Sequence, residues 1–139
     1  MTVVNWAVWA LGGIAVFEDL RRRQIPNWLT GVGVIAGFVF GAAKSGWAGL
    51  GMAAGGAAVG FLLFLIFYLL GGMGAGDIKL LSAFGALLGP SGTIVAGVLA
   101  AAAGALLAGA ILLLKPRTRA IPYAPAIVVG AWLAMLGEK

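Results

Sequence analysis

Apolar residues run through most of the chain with few interruptions, as in the ten-residue stretch Phe61–Leu70. Of the 139 residues, 63% are hydrophobic and only 9% are charged, whereas about a quarter of the residues in an ordinary soluble domain are charged. So few charged side chains cannot form the polar surface that a small water-soluble fold needs. The composition therefore excludes a soluble globular domain, a disordered chain and a nucleic-acid-binding module, and it indicates an integral membrane protein.

The apolar residues fall into six segments, separated by breaks rich in charge, glycine or proline. Their continuous hydrophobicity is typical of membrane helices, which need about 20 residues to cross the hydrocarbon core. The fourth segment is too short for that, and we expect it to be a helix packed inside the bundle. The sequence thus predicts one all-α membrane domain over residues 1–139, with six transmembrane helices: Val3–Phe17, Trp28–Ala43, Trp47–Leu70, Ile78–Leu88, Thr93–Leu114 and Ile121–Leu136.

The basic residues predict which way this bundle faces. Lysine and arginine collect in the cytoplasmic loops of membrane proteins. With six spans, the loops after the first, third and fifth segments lie on one side and hold seven basic residues, against Lys44 and Lys139 on the other side. We therefore expect both termini to lie outside the cytoplasm and seven basic residues to lie inside: Arg21, Arg22, Arg23, Lys79, Lys115, Arg117 and Arg119.

The many glycines favour close helix packing, since small residues let membrane helices approach one another. The clearest candidates are the spacings Gly51-x-x-x-Gly55 and Gly56-x-x-x-Gly60.

The chain contains no histidine and no cysteine, which excludes Ser-His and Cys-His nucleophiles, thiolate or imidazole zinc sites and disulfides. Four acids remain: Glu18, Asp19, Asp77 and Glu138. Asp19 and Asp77 lie at the predicted cytoplasmic ends of two different helices, where two carboxylates can meet and share one proton. One can then activate water as a base while the other donates a proton to a peptide carbonyl oxygen.

Structural interpretations of these acids stay open on residue type alone. Asp77 follows Gly76 and could cap the fourth helix, and Asp19 could pair with a neighbouring arginine. A Ser-Lys pair is an alternative catalyst, because Ser82 and Lys79 are three residues apart on one helical face. The acids could also serve as relays in a small proton-coupled transporter, or play structural roles in an assembly subunit of the membrane.

Three local motifs change the balance between these hypotheses. The stretch Gly74-Ala-Gly76-Asp77 matches the G-x-G-D signature of intramembrane aspartyl proteases, and its extension through Lys79 resembles the second aspartate motif of type IV prepilin peptidases. Their first aspartate motif is similar to Asp19-Leu-Arg-Arg-Arg-Gln-Ile-Pro26-Asn27, and their proline-containing last helix to Ile121-Pro122-Tyr-Ala-Pro125. The three matches occur in the family's order and cover the six-helix core.

This resemblance implies that Asp19 and Asp77 form the catalytic dyad of an aspartic endopeptidase in the inner membrane of a bacterium. The implied reaction removes the leader of prepilins and pseudopilins on the cytoplasmic side of their hydrophobic helix. The short chain resembles the minimal members that serve Flp (tight-adherence) pili, often called CpaA or TadV. The cysteine-containing domain of larger members has no counterpart here, so we expect no methyltransferase activity, and we expect neither a cofactor nor a metal.

Supporting roles follow for the other motif residues. Gly74 and Gly76 are expected to leave room for a substrate backbone. Lys79 is expected either to orient a carboxylate or to be one of the positive charges that set the orientation of the protein in the membrane. Pro26 restricts the connection between the first two helices next to Asn27. Further along the chain, Pro122 and Pro125 are expected to distort the last helix near the active face. The partners implied are the prepilin and membrane lipids, the latter through Arg21, Arg22 and Arg23, with no nucleic acid.

Overall fold

A computed structural model describes residues 3–22, 24–70, 74–114 and 124–137. Within this part of the chain all regular secondary structure is α-helical, as the continuous apolar segments predict. Four helices follow one another: α1 (Val3–Arg22), α2 (Asn27–Leu69), α3 (Ala75–Leu114) and α4 (Ala124–Gly137).

The two long helices are each broken at a glycine with a positive φ angle. Gly46 divides α2 (φ 60°, ψ −129°), and Gly89 divides α3 (φ 80°, ψ 174°), both in backbone regions that favour glycine. Pro90 follows the second break, at a position where a restarting helix has no use for its N–H. Within the described residues the helices therefore divide into six segments in the predicted order, with the second to fifth covering residues 27–45, 47–69, 75–88 and 90–114.

Several segment boundaries differ from the sequence-based expectation by one to five residues, and two of these differences concern the aspartates. The first segment was expected to end at Phe17, but α1 continues to Arg22 and so contains Asp19. The fourth was expected to begin at Ile78, but α3 begins at Ala75 and carries Asp77 in its first turn. Hydropathy alone ends a helix at the first charge, whereas the backbone continues until its hydrogen bonding is interrupted.

Segment 75–88 lies at the centre of the bundle, with Leu80, Leu81 and Phe84 fully buried. This position explains why the shortest predicted segment is a stable helix. It packs antiparallel to segment 47–69, where a methyl group added to Gly56 would overlap the backbone of Gly85, and one added to Gly60 would stand 2.6 Å from the Leu81 carbonyl oxygen. Close packing is thus confirmed for Gly56-x-x-x-Gly60.

The other glycine spacing is only partly used for packing. Gly55 faces Pro90, 3.1 Å from the position that a Cβ would occupy, while nothing lies within 4 Å of that position at Gly51. Packing at both ends of Gly51-x-x-x-Gly55 was therefore a wrong prediction, because Gly51 faces outward from the bundle.

Helix α1 packs antiparallel to α4. The Trp9 and Trp132 rings lie 4.3 Å apart between centroids, and the Trp132 indole N–H donates to the Val8 carbonyl oxygen at 3.3 Å. One turn further along α1, Gly12 faces Val128. This pairing brings the end of α1 and the start of α4 to the same end of the bundle.

Much of the outer surface is apolar, with exposed side chains such as Ile35, Leu62 and Val98. Helix α1, both halves of α2 and the whole of α3 are long and apolar enough to cross a membrane, and α4 is a shorter apolar helix. These features fit a multi-pass membrane protein. The count of six spans and the location of both termini outside the cytoplasm stay predictions.

Candidate active site

Asp19 and Asp77 are both buried, and they lie close enough for their charges to interact. Asp19 occupies the last turn of α1 and is 6% exposed, while Asp77 lies in the first turn of α3 and is 9% exposed. The two carboxyl groups lie within electrostatic range of each other. The structure therefore brings together two acids that stand 58 residues apart in the sequence, at what we call the aspartate end of the bundle.

The first turn of α3 places the Asp77 carboxyl group beside Gly74. Its backbone N–H donates to the Gly74 carbonyl oxygen at 3.2 Å, which closes the first turn of α3. A Cβ at Gly74 would stand 3.9 Å from the nearer Asp77 carboxyl oxygen. Gly74 thus borders the carboxyl group directly, while the first residues of α3 supply the positive end of a helix dipole.

Gly76 has a different neighbour, Ile25 in the connection between α1 and α2. Ile25 is buried, and a Cβ at Gly76 would stand 3.4 Å from the Ile25 Cβ. Nothing in the spacing of the motifs pointed to Ile25 as part of this region. Its only signal in the sequence is an apolar side chain within an otherwise polar connection.

Pro26 forms the N-cap of α2 in an extended conformation (φ −63°, ψ 138°). Its carbonyl oxygen accepts from the N–H groups of Leu29 and Thr30 at 3.2 and 3.4 Å. The Thr30 hydroxyl donates to the Asn27 carbonyl oxygen at 3.0 Å. The start of α2 is therefore stabilised by backbone acceptors, and the Asn27 side chain is left available for another contact.

That contact is with Lys79, whose ammonium group donates to the Asn27 side-chain oxygen at 3.0 Å. The hydrogen bond links the two aspartate motifs across 52 residues of sequence. Neither the spacing nor the residue types of the two motifs indicated this pairing.

The neighbouring charges of α1 contact residues of the same helix. The Arg22 guanidinium lies 3.7 Å from the Glu18 carboxylate, whose side chain is 15% exposed, and Arg21 lies over the Phe17 ring at 5.9 Å from its centroid. Arg23 lies outside the described residues. Contacts of these arginines with lipid or substrate stay predictions.

The structure also separates the two residues of the alternative Ser-Lys pair. The Ser82 hydroxyl donates to the Ala57 carbonyl oxygen at 2.9 Å, whereas Lys79 donates to Asn27. A serine nucleophile needs a base within hydrogen-bond reach, and these two side chains are directed at different partners.

The predicted motif in the last helix is described only in part. Pro125 is the second residue of α4, where the first turn of a helix tolerates proline. The expected distortion is therefore not found at Pro125 within residues 124–137, although the residue lies at the aspartate end, where α4 starts. Pro122 lies outside the described residues. For the supporting residues as for the aspartates, a role in processing stays a prediction.

No group of three or more acidic residues is placed to hold a metal ion anywhere in residues 3–22, 24–70, 74–114 and 124–137. What the aspartate end offers chemically is a pair of buried carboxyl groups. Such a pair can hold one shared proton, with one group acting as a base and the other as an acid.

Comparisons with known proteins agree with the motifs. Residues 6–109, which include both aspartates, match the model of the type IV leader peptidase family. The prepilin leader peptidase/N-methyltransferase of Aeromonas hydrophila is 33% identical over 143 aligned residues, which cover 96% of this chain and 48% of that protein. The enzyme of the same name from Xanthomonas campestris pv. campestris is 34% identical over 133 residues, covering 89% of this chain and 45% of the relative.

The chain thus spans about half the length of the curated relatives it matches. No solved structure matches it. The resemblance inferred from the motifs is nevertheless confirmed, because the family match covers most of the sequence. This chain belongs to the type IV leader peptidase family.

Proposed function

We propose that this chain is an aspartic endopeptidase that removes the leader peptide of Flp-type prepilins and related pseudopilins. Asp19 and Asp77 are its catalytic dyad. The observation that carries the proposal is the burial of both carboxyl groups at one end of the bundle, within range of each other's charge. Buried acids are unfavourable in a membrane protein unless a function or a partner retains them.

The reaction needs only these two groups and a water molecule. The ionised aspartate removes a proton from the water molecule, and the water oxygen attacks the peptide carbonyl carbon. At the same time the protonated aspartate donates its proton to the carbonyl oxygen. As the resulting diol collapses and its C–N bond breaks, one diol hydroxyl returns its proton to the ionised aspartate, and the leaving amine nitrogen takes the proton of the other aspartate. Each turnover returns the pair to its singly protonated state.

The cytoplasmic location of this reaction is supported by charge. Arg21 and Arg22 lie in the last turn of α1 next to Asp19, and Lys79 lies in the first turns of α3 next to Asp77. Lys44 stands near the opposite end of the bundle, at the end of segment 27–45. Under the positive-inside rule, the aspartate end faces the cytoplasm, where the leader of an inserted prepilin would be found.

The substrate assignment is supported by the family and by the names of the relatives, which are prepilin leader peptidases. The proposal covers the peptidase reaction, and it names the Flp class from the resemblance of the motifs to the peptidases that serve those pili.

The test is co-expression with a tagged Flp prepilin and an immunoblot for leader removal. Wild type should cleave the prepilin, and Asp19→Asn and Asp77→Asn should each lower the rate by about 10²- to 10⁴-fold, the contribution of an acid or a base. Both variants should remain at wild-type levels in the membrane fraction. Normal processing by either aspartate variant would disprove the dyad, and failure of wild type to cut any Flp prepilin would disprove the substrate.

A further inference from the structure

We infer that Lys79 and Asn27 are positioning residues whose hydrogen bond sets the separation of the two aspartates. This inference rests on the proposed function, since it concerns the same site. The hydrogen bond, 3.0 Å from the Lys79 ammonium nitrogen to the Asn27 amide oxygen, joins the start of α2 to the start of α3. Helix α2 follows the helix that carries Asp19, and α3 carries Asp77.

Lys79 acts through the helices rather than on the Asp77 carboxyl group. Residues two apart on an α-helix lie about 200° apart around its axis and do not face one another. Lys79 therefore extends away from the side of α3 that carries Asp77 and reaches Asn27. This geometry replaces the expectation of a lysine that orients the carboxylate directly.

Because of the position of Asn27, its hydrogen bond with Lys79 also restricts the position of Asp19. Only four residues separate the end of α1 at Arg22 from Asn27, so fixing the start of α2 on α3 also restricts the end of α1. The Ile25–Gly76 contact joins the same two elements through apolar packing. The connection is thus attached to α3 on both sides of Pro26, by a polar and an apolar contact.

The strength of the link is limited by exposure, since both side chains are exposed. A hydrogen bond with a charged donor is stronger than a neutral one, but at an exposed position it contributes only a fraction of its buried value. Loss of this hydrogen bond should widen the range of distances between the Asp19 and Asp77 carboxyl groups without unfolding the bundle. The expected consequence is a slower chemical step with unchanged substrate binding.

If Lys79 instead serves only as a positive charge that orients the protein in the membrane, the expected results differ. Under that interpretation Lys79→Met would impair insertion, while Asn27→Ala, which changes no charge, would have no effect. Under the positioning role the two substitutions remove the same interaction, so they should give equal losses that do not add.

The experiment measures kcat and KM of purified protein with a synthetic prepilin for Lys79→Met, Asn27→Ala and the double variant. Each single variant should lower kcat by about three- to tenfold, as expected for loss of one hydrogen bond, with KM unchanged. The double variant should be no slower than the slower single variant. Lys79→Arg and Asn27→Asp, which retain a donor and an acceptor, should keep most of the wild-type kcat.

Matched controls come from the same residue types at other positions. Lys44→Met removes a lysine charge near the far end of the bundle, and Gln24→Ala removes an exposed amide from the same connection; both should leave kcat unchanged. If the Lys79→Met variant is depleted from the membrane, the Asn27→Ala variant alone tests the inference, because it changes neither the charge of the chain nor the N-cap of α2.

Three results would overturn the inference: wild-type kcat in Asn27→Ala, losses that multiply in the double variant, or an effect confined to KM. None of them would disprove the dyad, which fails only if Asp19→Asn or Asp77→Asn remains active in the same assay.

Discussion

The Ile25 side chain lies against the backbone of Gly76, so that a Cβ at Gly76 would stand 3.4 Å from the Ile25 Cβ. This contact joins the connection after the first aspartate to the glycine that precedes the second. It is an apolar contact between the two aspartate motifs, beside the polar one from Lys79 to Asn27.

A cysteine pair at these positions should therefore form a disulfide. The Cβ separation is close to the roughly 3.5–4.5 Å found in disulfides, and the chain has no native cysteine. We expect Ile25→Cys/Gly76→Cys in membranes to be oxidised by a mild oxidant and to resist labelling by a maleimide polymer until reduced.

The matched control for this pair is Ile25→Cys/Gly31→Cys, because nothing lies within 4 Å of a Cβ at Gly31. Equal protection of both pairs from labelling would show that oxidation does not report the Ile25–Gly76 contact.

Gly56→Ala should destabilise the bundle. The added methyl group would overlap the Gly85 backbone, and separating two packed helices costs about 1–3 kcal/mol, as other overpacking changes do. Gly51→Ala should be close to neutral, since that position faces open space. Thermal unfolding in detergent measures both, and an equal loss of stability in the two variants would contradict the packing described for segments 47–69 and 75–88.

Ser82→Ala should retain prepilin cleavage and lose little stability. The Ser82 hydroxyl donates to the Ala57 carbonyl oxygen, and a hydrogen bond of this kind contributes about 0.5–1.5 kcal/mol net. The immunoblot for leader removal tests the activity. Loss of cleavage in Ser82→Ala, with cleavage intact in Asp19→Asn, would favour the serine mechanism instead.

Glu18→Gln should keep most of the activity although Glu18 precedes Asp19 in the sequence. Adjacent residues of a helix point about 100° apart, and the Glu18 carboxylate is paired with Arg22. Loss of such an i,i+4 pair costs only about 0.3–0.5 kcal/mol. Comparison of initial cleavage rates with Asp19→Asn tests this, and an inactive Glu18→Gln beside an active Asp19→Asn would show that Glu18 is the catalytic acid.

Chelators and thiol reagents should not inhibit the purified enzyme. The dyad mechanism uses two carboxyl groups and water, and the chain contains neither cysteine nor histidine. Cleavage of a synthetic prepilin should proceed at the same rate with and without EDTA. A strong loss in EDTA that a divalent ion restores would favour a metal held by the two carboxylates over a shared proton.

The sequence by itself determined the helical class, the six helical segments and the places where they break. Gly46 and Gly89 interrupt long apolar runs, and backbone regions with positive φ admit glycine more readily than other residues. It also determined the candidate catalytic acids, since only four residues are acidic and two of these lie within recognisable motifs. These are local properties, which a reader can recognise from composition, spacing and neighbours.

Which helix faces meet was decided only by the tertiary structure. The apolar segments are hydrophobic on most sides, so no polar stripe marks the buried face, and Gly51 and Gly56 look equivalent until one faces open space and the other meets Gly85. The link from Lys79 to Asn27 joins residues 52 positions apart. It exists because segments 27–45 and 75–88 start at the same end of the bundle, and local sequence carries no information on that packing.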